Sequence, residues 1–246
     1  MFTFIVPVHN EAETLPATLG RLDDARATYG IERVIAVENG SSDASWPVLQ
    51  ELAARAPHVH AFTEPAAGIG HAYHRGIVEA LRLAPADDSY LVLTACDLPF
   101  GFTDLASMLA LSPRPVVAIG SKARLVGPVV PELPRRVMSR VYQLARRWMI
   151  GMQTLDCQGS FLVRCDVARE VHGALAARDF FYTTELCARL ERRGIVPVEV
   201  AVELHREVRP STVRPWKHGS AMFRQLVALR RRLAREADGA PGSPGH

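Results

Sequence analysis

The feature that most constrains the fold is an alternation of strand-like and helix-like segments over the first 100 residues. Short apolar runs rich in β-branched residues occupy residues 2–8, 31–37 and 59–63. Each run leads into turn-forming residues and then into a stretch whose apolar residues recur at helical spacing. Strands that alternate with helices in this order form a mostly parallel sheet with right-handed crossovers. We therefore predict an α/β fold in which helices flank a mostly parallel central sheet.

A fourth apolar run ends close to a single carboxylate. Residues 91–93 are Leu-Val-Leu and are typical of a buried strand, which Pro99 prevents from continuing in a central ladder. Asp97 is then expected at the carboxyl end of a strand, the edge at which open α/β sheets bind their ligands. The alternative is that Asp97 only caps the turn before residues 102–104.

The second half of the chain continues the alternation less regularly. Strands are predicted at residues 116–119, 161–163 and 196–204, and helices near 166–176 and 183–193. We expect one domain at residues 1–236, with a nucleotide-binding half (1–100), an acceptor half (101–215) and a basic amphipathic helix (216–236). The Gly-, Pro- and Ser-rich residues 237–246 are typical of a disordered tail.

Two basic amphipathic helices are predicted, one beginning at Pro134 after the proline-rich residues 126–134, and one at residues 216–235. One face of the first helix is apolar and carries Val137, Val141, Leu144 and Trp148. Helices of this kind can lie on an anionic membrane surface, and packing helices with solvent-facing arginines have the same pattern. Both interpretations stay open at this point.

Composition narrows the class of protein. With 246 residues, 48% of them hydrophobic and 22% charged, the chain matches an ordinary soluble globular protein. The amino terminus has no basic leader, so we expect a cytoplasmic protein, with association at the cytoplasmic face of a membrane left open. Residues 206–235 hold nine Lys or Arg against one acid, which suits a diphosphate ligand or an anionic membrane. No nucleic acid is expected as a partner.

Seven short motifs follow one another along residues 2–215: IVPVHNEAETL, VENGSSDAS, AGIGHAYHRGI, LTACDLPF, GSK with a later Arg135-x-x-x-Ser139, DCQGSF and FYTTELCARL. In this order and at these intervals they resemble the inverting family-two glycosyltransferases. The nearest branch is that of the dolichol-phosphate mannose synthases and other polyprenyl-phosphate glycosyltransferases. The resemblance implies a GT-A fold with a Rossmann-like sheet, a GDP- or UDP-linked sugar donor and, commonly, a divalent metal ion.

The resemblance assigns contacts with the nucleotide sugar to the loops that follow the first two strands. Pro7, Asn10 and Glu11 match the family's Pro-x-x-Asn-Glu. Glu38 and Gly40 match an acidic turn that usually contains two aspartates, the second of which is Asn at position 39 here. The alternative is that Glu11 and Glu38 are only solvated loop acids.

The resemblance also implies a metal site, from which this chain departs. The family usually has Asp-x-Asp-Leu where this chain has Ala95-Cys96-Asp97-Leu98, so Asp97 alone is the candidate metal ligand. Mg²⁺ or Mn²⁺ held by Asp97 and by phosphate oxygens is one expectation, and transfer without a metal is the other. Gly68 and Gly70 are expected to let the backbone approach the donor closely.

The implied reaction is an in-line displacement, in which an acceptor oxygen attacks the anomeric carbon and a nucleoside diphosphate leaves with inversion. A lipid phosphate is already mostly dianionic near neutral pH and needs cations, whereas a hydroxyl acceptor needs a general base. Asp156 and Glu185 join Asp97 as candidate catalytic residues for this reason. The resemblance places acceptor or phosphate contacts at Lys122, Arg135, Ser139, Arg206 and Arg209.

Three functions follow from these residues. The favoured one is sugar transfer to a polyprenyl phosphate, with peripheral contact to a membrane. A second is a soluble glycosyltransferase that acts on a hydroxyl of a small molecule or secondary metabolite. A third, motivated by Ala95 and Asn39, is a protein that binds a nucleotide sugar without catalysing transfer.

Overall fold

The computed structural model describes residues 1–126, 133–204 and 215–238, with side chains described at 1–126, 138–204 and 222–236. The contacts among these residues divide them into two compact units. The first unit contains residues 1–126 and 154–204, and the second contains 133–153 and 215–238. The expectation of a single domain stays a prediction. Of the predicted disordered tail at 237–246, residues 237 and 238 belong to the helix Pro215–Asp238, and 239–246 lie outside the described residues.

Within the described residues, seven strands form one sheet. The strands are β1 (Phe2–Val8), β2 (Ile31–Glu38), β3 (Val59–Thr63), β4 (Tyr90–Leu93), β5 (Val117–Val126), β6 (Ser160–Arg164) and β7 (Val198–Glu203). Their order is β3-β2-β1-β4-β6-β5-β7. All neighbouring pairs are parallel except those of β6, which runs antiparallel to both β4 and β5. The predicted α/β fold with a mostly parallel sheet is confirmed.

Helices connect the strands and cover the sheet. They are α1 (Leu15–Tyr29), α2 (Ser45–Arg55), α3 (Ile69–Arg82), α4 (Thr103–Leu109), α5 (Leu133–Ile150), α6 (Cys165–Val171), α7 (Tyr182–Arg192) and α8 (Pro215–Asp238). The interior is apolar on both faces of β1, all seven residues of which are buried, as expected of a central parallel strand. Leu15, Leu19 and Leu22 of α1 pack into the cluster on one face, and α3 contacts β1 and β2.

The fifth strand is longer than the sequence predicted. Its first residues pair with β6 up to Gly120, opposite Ser160, and its pairing with β7 is interrupted between Gly120 and Leu125. The Gly-Ser-Lys sequence that was expected to follow the strand therefore lies inside it, at the irregular stretch 121–124. Such irregularities re-aim side chains at the rim of a sheet.

The second unit consists of α5 and α8, which pack against each other. Leu226, Leu229 and Leu233 of α8 are buried, and the buried Arg146 of α5 stacks 5.1 Å above the ring of Tyr142. The predicted apolar face of α5 is exposed where it is described: 61% of Val141, 66% of Leu144 and 85% of Trp148 are accessible. None of the helices in the described part of the chain is long and apolar enough to cross a membrane.

Candidate functional site

One edge of the sheet gathers the predicted residues of the first unit. The carboxyl ends of the parallel strands β1, β2 and β4 meet there, and β6 begins there because it runs antiparallel to β4. The irregular stretch of β5 leaves the sheet at the same edge, since Gly120 pairs with Ser160 at the beginning of β6. The polar residues at this edge are Asn10, Glu11, Glu38, Asp97, Lys122 and Asp156.

The loops after β1 and β2 are tied to each other. The Asn10 side-chain oxygen accepts the N–H of Ser42 at 2.8 Å, and the Asn10 N–H donates to Ser41 Oγ at 3.1 Å. The carboxylate of Glu38 accepts the Ser41 N–H at 2.6 Å and is almost buried. Asn10 and Glu38 thus shape the loops on which they lie, and a contact of either side chain with a nucleotide stays a prediction.

Glu11, Pro7 and Gly40 support the same loops through the backbone. The Glu11 N–H donates to Ser45 Oγ at 2.8 Å, and the Glu11 carbonyl accepts from the first residues of α1. That turn precedes α1, which begins at Leu15. Pro7 pairs with Val37 inside the sheet, and Gly40 has a φ of +70°, which few other residues adopt.

Asp97 lies in a tight turn just after β4. Leu98 has a φ of +46°, and its N–H donates to the carbonyl of Ala95 at 3.1 Å. The turn is held against α1, since the Thr18 hydroxyl donates to the carbonyl of Cys96 at 2.6 Å. The Asp97 side chain is half-buried. Burial, and after it the Asp97 charge, raises the pKa of the Tyr73 hydroxyl, so this phenol stays protonated near neutral pH.

Gly68 and Gly70 approach the protein's own backbone. A Cβ at Gly70 would lie 2.5 Å from the carbonyl carbon of Arg178, and one at Gly68 would lie 2.7 Å from its oxygen. The His71 N–H donates to that same Arg178 oxygen at 2.9 Å. The close approach predicted for a ligand is thus made by the segment before α7, and a contact of these glycines with the donor stays a prediction.

Glu185 is fully buried in the first turn of α7. One carboxylate oxygen, Oε1, pairs with the buried Arg189 guanidinium at 3.0 Å. The other oxygen, Oε2, accepts the N–H groups of Ala176 and Ala177 at 3.1 and 2.6 Å. These contacts hold the segment that meets Gly68 and Gly70, and a catalytic role for Glu185 stays a prediction.

Asp156 organises the part of the edge next to the irregular stretch of β5. Its Oδ2 accepts the Lys122 N–H at 2.7 Å, and its Oδ1 accepts the Gln158 N–H at 2.8 Å. The exposed Lys122 ammonium lies 5.9 Å from the ring centroid of Phe100, three residues beyond Asp97. The structure therefore brings Lys122 and Asp156 together, and it links both to the turn after β4.

Glu199 of β7 is a residue that the sequence did not single out. Its carboxylate accepts the Asp156 N–H at 2.8 Å and the Ser121 hydroxyl at 3.0 Å. An acid in the Val-Glu-Val-Ala-Val-Glu sequence of β7 carries no motif signal, and the pairing of β5 with β7 brings Glu199 to the site. Gln158, inside the DCQGSF motif, could have been found; its amide donates to the Phe180 carbonyl at 3.1 Å.

His74 of α3 packs beside the segment that precedes α7. Burial, helped by the Arg178 charge, lowers the pKa of His74 to about 4, so the ring is neutral at physiological pH. Its ring lies edge-on to Tyr182 at 6.2 Å. The neutral ring adds no charge to this side of the edge.

Four predicted acceptor residues are not among the described residues of the first unit. Ser139 is an exposed residue of α5, and Arg135 begins the same helix with its side chain outside the described part of the chain. Arg206 and Arg209 lie outside the described residues altogether. The roles assigned to these four residues stay predictions.

Among the described residues, Asp97 is the candidate ligand for a divalent metal ion. No group of three or more His, Cys, Asp or Glu side chains in the described part of the chain could hold a metal ion. Ala95 cannot be a ligand, and Asp97 supplies one hard carboxylate at the sheet edge. Mg²⁺ is often held by one or two carboxylates together with substrate phosphates. The site therefore fits a metal that is bound mainly by the diphosphate of a donor.

Comparison with known proteins identifies the family of this chain. Residues 3–170 match the family described as glycosyl transferase family 2. The undecaprenyl-phosphate mannosyltransferase of Micrococcus luteus is 28% identical over 205 residues, which cover 80% of this chain and 81% of that protein. The polyprenol monophosphomannose synthase of Mycolicibacterium smegmatis is 28% identical over 228 residues, which cover 89% and 83%.

Solved structures agree in fold. The glucosyl-3-phosphoglycerate synthase of Mycobacterium tuberculosis in complex with UDP superposes with a TM-score of 0.61 at 18% identity, covering 99% of this chain and 82% of that one. Its complex with Mn²⁺, UDP and phosphoglyceric acid gives a TM-score of 0.62 at 19% identity, covering 99% and 80%. At these identities the likeness concerns the fold alone, and it confirms the predicted GT-A architecture.

Proposed function

We propose that this chain, which belongs to glycosyl transferase family 2, is a glycosyltransferase that moves a sugar from a nucleoside diphosphate to a polyprenyl phosphate with inversion at the anomeric carbon. Two relatives that act on such lipids, each 28% identical over at least 80% of this chain, support the acceptor. The observation that carries the lipid acceptor is the exposed apolar face of α5. A face with 85% of its tryptophan accessible is unusual on a protein that acts only in water.

The donor is proposed to bind at the carboxyl ends of β1, β2 and β4. Glu38 Oε2 accepts hydrogen bonds from the ribose or the base, and the polar loop after β1, held by Asn10, faces the nucleotide. Asp97 lies next to the sugar diphosphate. A divalent ion bound by Asp97 and the diphosphate would offset the charge of the leaving group, and the nucleotide, GDP or UDP, is part of the test below.

The acceptor chemistry needs no strong base. An oxygen of the lipid phosphate attacks the anomeric carbon, the bond from that carbon to the donor phosphate oxygen breaks, and its electron pair leaves with the nucleoside diphosphate. Since a phosphate monoester is mostly dianionic near pH 7, a cation is required to hold it. Lys122 supplies this cation, and Asp156, with both oxygens already accepting backbone N–H groups, keeps Lys122 in place.

The same face of α5 supports peripheral contact with a membrane. Val141, Leu144 and Trp148 project from one side of the helix, with the exposed Arg140 and Arg147 next to them. Tryptophan and arginine at such a boundary suit the headgroup region of an anionic bilayer. We define these five residues as the α5 stripe and propose that it rests on the membrane that carries the acceptor.

An acceptor panel tests the proposal. The purified protein is incubated with GDP-mannose or UDP-glucose, with Mg²⁺, Mn²⁺ or chelator, and with a polyprenyl phosphate in mixed micelles. The products are identified by mass spectrometry, and their anomeric configuration is determined by NMR. We expect a glycosyl-phosphate lipid of inverted configuration from one donor. Transfer to small hydroxyl acceptors and not to the lipid would favour the soluble alternative. Tight nucleotide binding without transfer or donor hydrolysis would favour the non-catalytic alternative.

A further inference from the structure

The carboxylate of Glu199 joins two segments of the candidate site, the one at Asp156 and the irregular stretch of β5. Its Oε1 accepts the backbone N–H of Asp156 at 2.8 Å and the hydroxyl of Ser121 at 3.0 Å. Ser121 Oγ in turn accepts the N–H of Ala123 at 3.1 Å. Ser121 and Ala123 flank Lys122, so one carboxylate fixes both neighbours of the proposed acceptor cation.

The backbone around Lys122 depends on this carboxylate because the strand ladder is interrupted there. Pairing of β5 with β7 stops after Gly120 and resumes at Leu125. Within that gap the Lys122 N–H is taken by Asp156 and the Ala123 N–H by Ser121, the two residues that bond to Glu199. Glu199, opposite Ile119 in the register, thus replaces the missing ladder with side-chain hydrogen bonds.

We propose that Glu199 is a positioning residue, which fixes Asp156 and the irregular stretch of β5 so that Lys122 faces the acceptor phosphate. The inference rests on the proposed function. Glu199 acts through Asp156 and Lys122 and does not touch the reacting atoms. Its carboxylate acts as an acceptor of two hydrogen bonds, which an amide oxygen can also accept.

The test compares Glu199→Ala with Glu199→Gln. Glu199→Ala is expected to raise the KM for the lipid acceptor and lower kcat, with a combined loss of about 10- to 100-fold in kcat/KM, because small misplacements of binding groups cost this much. The affinity for the donor nucleotide should not change. Glu199→Gln should recover most of the activity. Glu203→Ala, at the exposed end of the same strand, is the matched control and should behave as wild type.

Two further measurements distinguish failure of the positioning role from failure of the proposed function. Amide hydrogen exchange at residues 121–124 and 155–158 should be faster in Glu199→Ala and unchanged in Glu203→Ala, whichever acceptor the enzyme uses. Ser121→Ala, which removes one of the two donors, should give a smaller loss in the same direction and covers the case in which Glu199→Ala does not fold.

Equal kcat/KM in wild type and Glu199→Ala, or a loss in Glu199→Gln as large as in Glu199→Ala, would overturn the positioning role. A Glu199→Ala variant that does not fold, together with full activity of Ser121→Ala, would overturn it as well. Wild-type protein that is inactive with every acceptor, while the exchange pattern changes as expected, would overturn the proposed function instead.

Discussion

Replacing Gly70 with alanine is expected to destabilise the protein without acting through the donor. A Cβ at this position would lie 2.5 Å from the carbonyl carbon of Arg178 and 2.8 Å from its Cα and oxygen. All three atoms are backbone, so no side chain can rotate away, and the segment before α7 must move as a whole. Overpacking of this kind costs about 2–3 kcal/mol, which for a protein of this size lowers Tm by roughly 4–12 °C.

Gly20→Ala is the matched control, since Gly20 lies in α1 and a Cβ there meets nothing within 4 Å. Alanine in an exposed helix interior is more stable than glycine by about 0.5–1 kcal/mol, so this variant should unfold at a slightly higher temperature than wild type. Thermal unfolding followed by circular dichroism measures both variants, and calorimetric titration with UDP and GDP measures nucleotide binding. An unchanged Tm for Gly70→Ala, combined with lost nucleotide affinity, would refute the packing role and make Gly70 a donor contact.

Three further predictions follow from the site, the α5 stripe and the buried histidine. Asp97→Asn should abolish the gain in nucleotide affinity that Mg²⁺ or Mn²⁺ provides, measured by titration calorimetry; equal gains in variant and wild type would remove Asp97 as the ligand. Trp148→Ala should weaken binding to anionic vesicles roughly 30- to 150-fold in a sedimentation assay, since burial of a large aromatic side chain contributes roughly 2–3 kcal/mol. Leu111→Ala, at a residue 38% exposed in the first unit, should leave vesicle binding unchanged, and equal effects of the two substitutions would contradict the stripe. Burial lowers the pKa of His74 to about 4. As the pH falls, the unfolded chain therefore binds a proton at His74 before the folded chain does, and the free energy of unfolding decreases between about pH 6.5 and 4. The difference in Tm between wild type and His74→Gln should therefore change across that range, and two parallel curves would be evidence against it.

The fold could be predicted from the sequence because local pattern and global architecture agree. β-branched runs ending in polar turns marked β1, β2 and β3, and the predicted bounds of β1 and β3 were confirmed to the residue. The predicted bounds were wrong where a tertiary contact sets the end of a strand. The strand β5 was predicted to end at residue 119, and it continues beyond Gly-Ser-Lys because its pairing with β7 resumes at Leu125.

The site was predicted less completely, because motifs identify residues and not their partners. The edge with Asn10, Glu38 and Asp97 followed from strand order and from the family resemblance. The contribution of Glu199 did not, since it depends on the register between β5 and β7, which are separated by more than 70 residues in the sequence. Hydrogen bonds across such a distance leave no periodicity in the chain.

Glu185 is the reverse case: a motif pointed to the residue, and its partners in the structure offer another explanation of its importance. The Thr-Thr-Glu-Leu sequence is compatible with a general base, and the spacing of Glu185 and Arg189 is that of an ordinary surface ion pair on a helix. Burial of both side chains changes the interpretation, because removal of one partner leaves a buried charge without its counter-ion. It would also release the N–H groups of residues 176 and 177, and with them the segment that rests against Gly70. A Glu185 variant is therefore expected to lose activity whether or not the carboxylate accepts a proton during the reaction. The Gly70→Ala variant displaces the same segment with Glu185 intact, so it separates loss through the displaced segment from loss of a general base.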